Sequence, residues 1–130
     1  MVTTTTSPRV PSDALAFQAG ILERVSRTFA FTIPQLPTPL YTAVANAYLL
    51  CRIADTIEDE PELSQAQKEL FSRRLVAVLA GEAAAEEFAE ALVPLLSEHT
   101  LPAERELIAQ TRHVLSVTRA LGEREQAALR

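Results

Sequence analysis

The segment that most constrains this chain is fenced by prolines. TPLYTAVANAYLLCRIADTIED, residues 38–59, has Pro39 as its second residue and Pro61 just beyond its end. Proline at a first helical position gives up only an N–H that has no partner there, and Thr38 before it can cap. The segment therefore reads as a helix running to about Asp59 and stopping before Pro61. Its YLLCRIA stretch, Tyr48 to Ala54, is apolar almost all round. That pattern predicts a central helix, not a surface one.

The rest of the chain is punctuated in a similar way. From Asp13 onward Ala14, Phe17, Gln18, Ile21, Leu22, Val25 and Phe29 recur near a 3.6-residue period, with Ser12 or Asp13 as N-cap. Pro34, Pro37 and Pro39 then forbid continuation. Ser64 and Gln67 spell a capping box for a third helix. Its Leu70, Phe71, Leu75, Val78 and Leu79 form one face, and Gly81 stops it. A weaker helix follows in GEAAAEEFAEALVPLLSEH, kinked or shortened by Pro94. Thr100 and Pro102 open a long one, AERELIAQTRHVLSVTRAL, closed by Gly122. No strand pattern and no internal repeat is evident, so the fold class is all-α.

Composition narrows the function. With 130 residues, 48% of them apolar, the chain can build one domain around a real core. Three glycines are too few to punctuate many short strands. The net charge of −5 and the scattered basic residues argue against a nucleic-acid partner. Cys51 is the single cysteine, which gives no disulfide framework and points to a reducing cytoplasm, with the thiol as a small core residue. Residues 1–12 read as a disordered leader and 13–130 as helical. No run approaches ~18 apolar residues, so no span is expected, and peripheral membrane contact stays open. After Gly122, EREQAALR begins a new helical pattern inside which the chain ends; the expectation is the N-terminal part of a longer protein.

The central segment finishes in acid. Asp55, Glu58, Asp59 and Glu60 crowd a helix C-terminus, and Asp55 and Asp59 share one face at a spacing of four. The helix dipole disfavours each exposed carboxylate there by roughly 0.3–1 kcal/mol. Arg52, one turn back, relieves part of this. A hard divalent cation makes chemical sense of such a cluster: magnesium takes one or two carboxylates and completes its shell with water and phosphate oxygens. Arg52 and Arg27 could grip the same diphosphate through their guanidinium forks. On the pattern alone, a solvated acidic helix end and a metal site stand level.

YLLCRIADTIEDEP resembles the first aspartate-rich motif of the squalene/phytoene synthase family, the head-to-head prenyltransferases. Asp55-Thr-Ile-Glu58-Asp59 is nearest the squalene synthase form, as in bacterial squalene synthase-like members. Upstream, SRTFAFTIPQLP, Ser26 to Pro37, resembles the family's S-R-[ST]-F segment at about its usual distance. The resemblance implies an isoprenoid synthase type helical fold around an apolar cavity. It implies that Asp55, Glu58 and Asp59 bind Mg2+ bridged to an allylic diphosphate. Arg52 and Arg27 would contact the diphosphate, or NADPH phosphates in a squalene synthase, with Ser26 and Thr28 as hydroxyl donors. Phe29 and Tyr48 would line the prenyl pocket. The implied reaction joins two prenyl diphosphates, farnesyl diphosphate favoured, through a cyclopropyl diphosphate.

The family also carries a second aspartate-rich motif. Here the only aspartates are Asp13, Asp55 and Asp59. The chain alone is therefore expected to be inactive, and a non-catalytic helical binding module is the alternative. A nucleotide pyrophosphohydrolase is a weaker one, since SRTF has no role there. His99, His113, Arg73 and Arg74 read as surface or packing residues, and Tyr41 as packing.

Overall fold

The computed structural model describes residues 10–26 and 35–128. Among them are six α-helices and no strand. They are α1 (Ser12–Val25), α2 (Thr38–Asp59), α3 (Gln65–Leu79), α4 (Ala85–Leu92), α5 (Pro102–Ala109) and α6 (Thr111–Ala128), with a 3-10 turn at Val93–Leu95 after α4.

Helix α1 begins on a backbone contact, Leu15 N–H to the Pro11 carbonyl at 3.1 Å, without a side-chain cap. It buries Ala14, Gln18, Ile21 and Leu22, the row its period predicts, with Phe17 and Val25 half-buried. It ends at Val25, so Phe29 lies beyond it and outside the described residues. In α2 the capping position falls to Pro37 and Thr38 is already helical. The helix stops at Asp59, and Glu60 turns extended (φ −73°, ψ 113°), as the residue before a proline must.

Helix α3 carries both halves of the capping box: Gln67 N–H donates to Ser64 Oγ at 3.1 Å, and Ser64 N–H to Gln67 Oε1 at 2.8 Å. It closes in a Schellman motif on Gly81 at φ +81°, with Glu82 N–H on the Ala77 carbonyl and Gly81 N–H on that of Val78. Its buried row is Phe71, Leu75 and Val78. Leu70 and Leu79, expected on that face, are 44% and 38% exposed. They sit roughly a quarter-turn to either side of the row.

Two further expectations are corrected near the C-terminus. The long helix after Pro102 is two helices, broken at Gln110 (φ −108°, ψ 29°). Gln110 N–H folds back on the Glu106 carbonyl at 3.0 Å, and the buried Thr111 hydroxyl donates to the Ile108 carbonyl at 2.6 Å. Gly122 ends nothing: α6 runs through it to Ala128. A single glycine inside a helix costs only about 1 kcal/mol, which tertiary packing outweighs.

Helix α2 packs against α1, α3, α5 and α6. Ala45, Leu49, Ile53 and Ile57 on one side of it are at most 1% exposed. They meet Leu22 from α1, Phe71 and Leu75 from α3, and Leu107 and Leu115 from α5 and α6 in one core. Helix α1 lies on α6, with the Phe17 ring stacked on His113 at 5.2 Å. Asn46 of α2 donates to the Thr118 hydroxyl of α6 at 2.8 Å. The other side of α2 corrects the all-round burial expected for it. Leu40 is 49% exposed, Ala47 and Cys51 are exposed, and Val44 and Tyr48 are half-buried. Cys51 is thus a surface thiol, because it lies opposite the core-facing row. Among the described residues no helix is long and apolar enough to cross a membrane.

Candidate functional site

The end of α2 forms one wall of a cleft of about 330 Å³. Helical spacing brings Arg52, Asp55, Thr56 and Asp59 to it together. The facing wall comes from His99, Thr100 and Leu101, which lead into α5, and from Glu104 in that helix's first turn. Asp55 and Asp59 are exposed. Glu58, between them, is also exposed and does not line the cleft. Its carbonyl accepts from Lys68 Nζ at 2.6 Å, which places a positive charge at the negative end of α2.

Arg52 forms an ion pair with Glu104 through Nη2. The other Glu104 oxygen accepts the Leu101 N–H at 3.3 Å, filling one of the open donors at the start of α5. The Thr56 hydroxyl donates to the Arg52 carbonyl at 2.8 Å, which turns that side chain back onto its own helix.

Glu60 is a carboxylate of a different kind. It is fully buried, where Asp55, Glu58 and Asp59 are exposed. It accepts four hydrogen bonds: from Glu62 N–H, Ser97 N–H and the Thr100 hydroxyl at 2.8 Å, and from the Ser97 hydroxyl at 2.6 Å. Burial raises its pKa, but the Ser97 hydroxyl and the Glu62, Ser97 and Thr100 donors together outweigh burial and lower it to about 2. Glu60 thereby ties the end of α2 to the segment that carries His99, Thr100 and Leu101, and so holds the two walls in register.

Among the described residues, no three His, Cys, Asp or Glu side chains group closely enough to hold an ion by themselves. Two carboxylates one turn apart beside an arginine fit a cation that keeps its waters and takes its remaining ligands from a phosphate.

Of the other residues singled out in the sequence, Ser26 follows α1 half-buried and donates its N–H to the Leu22 carbonyl at 2.9 Å. Arg27, Thr28 and Phe29 lie outside the described residues. Tyr48 packs half-buried against the core, two turns before Asp55. Thr56, His99, Thr100, Leu101 and Glu104 were not singled out for this cleft. Thr100 carries a sequence signal as an opener of the helix after it, and Glu104 as an acid in the first turn of a proline-started helix, and both signals speak of capping.

The exposed side of α2 leads directly to this cleft. Leu40, Val44, Ala47 and Cys51 follow one another at spacings of four, three and four, and four more residues reach Asp55. Residues 38–51 contain no charge at all. Among the described residues this side of α2 is partly exposed, and Asp55 continues it at the same helical spacing, on the edge of the cleft that Arg52 and Asp59 also line.

A sequence model for the family described as squalene/phytoene synthase matches residues 22–126. Among curated proteins, the chain is 44% identical over 54 residues to Botryococcus squalene synthase from Botryococcus braunii, covering 42% of this chain and 12% of that protein. It is 43% identical over 53 residues to squalene synthase from Nicotiana benthamiana, 41% of this chain and 13% of the relative. It is 48% identical over 46 residues to inactive squalene synthase 2 from Arabidopsis thaliana, 35% of this chain and 11% of the relative. The matches therefore span only a small part of each relative's length. No solved structure matches the chain.

Proposed function

The chain belongs to the squalene/phytoene synthase family, and on that premise we propose that it contributes the diphosphate-binding wall of a head-to-head prenyltransferase. The observation that carries this reading is the α2 stripe, apolar from Leu40 to Cys51 and continued by Asp55, whose cleft Arg52 and Asp59 also line. A prenyl diphosphate has the same two parts in the same order, a hydrocarbon tail and an anionic head. Asp55 and Asp59 would hold magnesium, with Glu58 as the third carboxylate of the motif, and Arg52 would grip a phosphate oxygen. Magnesium, when bound, stabilises the negative charge of the departing diphosphate. The exposed side of α2 would keep water from the allylic carbon, where a cation would otherwise be quenched.

The relatives named squalene synthases favour squalene as the product, which makes farnesyl diphosphate the first substrate to test. In the full-length protein with magnesium, Asp55→Asn or Asp59→Asn should lower diphosphate release from farnesyl diphosphate by about 100-fold or more. Both side chains are exposed, so the thermal midpoint should hardly move. Should the unaltered full-length protein release no diphosphate from farnesyl or geranylgeranyl diphosphate, the enzyme reading fails. The match to a relative named inactive favours one second reading, a module that binds prenyl diphosphates without turnover. Tight binding without release would establish it. The 130-residue chain by itself, with one aspartate-rich motif, is expected to be inactive.

A further inference from the structure

We infer that Glu104 is a positioning residue for Arg52, holding the guanidinium over the cleft and away from the carboxylates of its own helix. The inference rests on the diphosphate reading of the cleft and names a residue that the aspartate-rich motif does not contain.

Arg52 has an alternative partner close at hand. Asp55 lies three residues further along α2, the spacing at which an arginine and a carboxylate on one helix pair. Such a pair would quench a cation ligand and a phosphate donor at once. In the structure Arg52 is drawn instead to Glu104, 52 residues away on the opposite wall. Glu104 can act as a fixed anchor because its other oxygen is occupied by the Leu101 N–H, at the positive end of α5. The two side chains are 29% and 16% exposed, so the pair is only partly screened by water.

The same division of labour explains an unpartnered donor. Among the described residues, Arg52 Nε is shut off from water and has no acceptor. Nε and Nη2 lie on the same edge of the guanidinium and would both be satisfied by a two-oxygen grip. Glu104 offers Arg52 one oxygen only, since the other caps α5. A one-point contact fixes where the guanidinium sits and leaves its plane able to turn toward an arriving phosphate.

Glutamine separates positioning from capping, because it retains an acceptor for the Leu101 N–H and serves equally well at that helix position. The experiment is calorimetric titration of the full-length protein with inorganic pyrophosphate in magnesium, for wild type, Glu104→Gln, Arg52→Ala and the double variant. Glu104→Gln should weaken pyrophosphate binding about tenfold and leave the thermal midpoint within a few degrees. In the Arg52→Ala background the same change should cost less than about threefold, because the two residues act as a unit. Glu104→Asp, which keeps the charge, should recover part of the loss. Wild-type affinity in Glu104→Gln, or an equal loss with and without Arg52, overturns the inference and leaves the diphosphate reading standing. No pyrophosphate binding by the wild type overturns both.

Discussion

Glu60 is a buried anion that four donors hold ionised, and its contribution to stability follows from its pKa. Its unfolded value is 4.5 and its folded value about 2. A depressed folded pKa means that stability is fully present above pH 4.5 and is lost as pH falls from there toward 2. The shift corresponds to about 3 kcal/mol. Urea unfolding followed from pH 6 to pH 2.5 should show that loss, and Glu60→Gln should flatten it. Glu60→Ala should cost roughly 3 kcal/mol or more at neutral pH, since it leaves buried donors without an acceptor. The sequence presents Glu60 as one more acid beside Asp59. What separates them is direction: Asp59 is the last helical residue and stays in solvent, while Glu60 turns extended before Pro61 and points inward. Its partners Ser97 and Thr100 are 37 and 40 residues further on, and no local pattern announces them.

Helix α3 is legible at both ends because both are written in local chemistry. Ser64 and Gln67 predict the start of α3, and Gly81 its end. Ser64→Ala should therefore cost about 1 kcal/mol by the loss of one capping bond. Gly81→Ala should cost a similar ~1 kcal/mol, because a Cβ is disfavoured at φ +81° even though nothing crowds it. Chemical denaturation of each variant gives both values. The break between α5 and α6 was not legible, because neither proline nor glycine makes it. It depends on the Thr111 hydroxyl and on how Leu107 and Ile108 seat in the core. Leu70 and Leu79 were misplaced for a related reason: a 3.6 period defines a broad stripe, and only the neighbouring helices decide its edges. The cleft followed the same division. Arg52, Asp55 and Asp59 were readable as one helix face, whereas His99 and Glu104 reach it only through tertiary packing.

At the scale of the molecule, the apolar residues of α2 divide into a buried set and an outward-facing set. Ile53 and Ile57 hold the fold together, so Ile57→Ala should cost about 2–5 kcal/mol. Leu40 and Ala47 face outward, and Leu40→Ser or Ala47→Ser should change stability by no more than about 0.5 kcal/mol. On the proposed function, the same two variants should weaken binding of farnesyl diphosphate by the full-length protein while leaving inorganic pyrophosphate unaffected, since only the former has a tail. Titration with both ligands checks this directly. The docking of α1 on α6 has a consequence in time. Helix α1 is synthesised well before α6, on which it packs, so Ile21 and Leu22 are born without part of their shelter. Between Val25 and Ala128, translation at ~5–20 residues per second takes roughly 5–20 s. Nascent chains arrested before Thr111 should therefore be cut by protease within α1, and chains extended past Ala128 should resist. Helix α1 is the latch of this fold, and it closes only after its catch has been made.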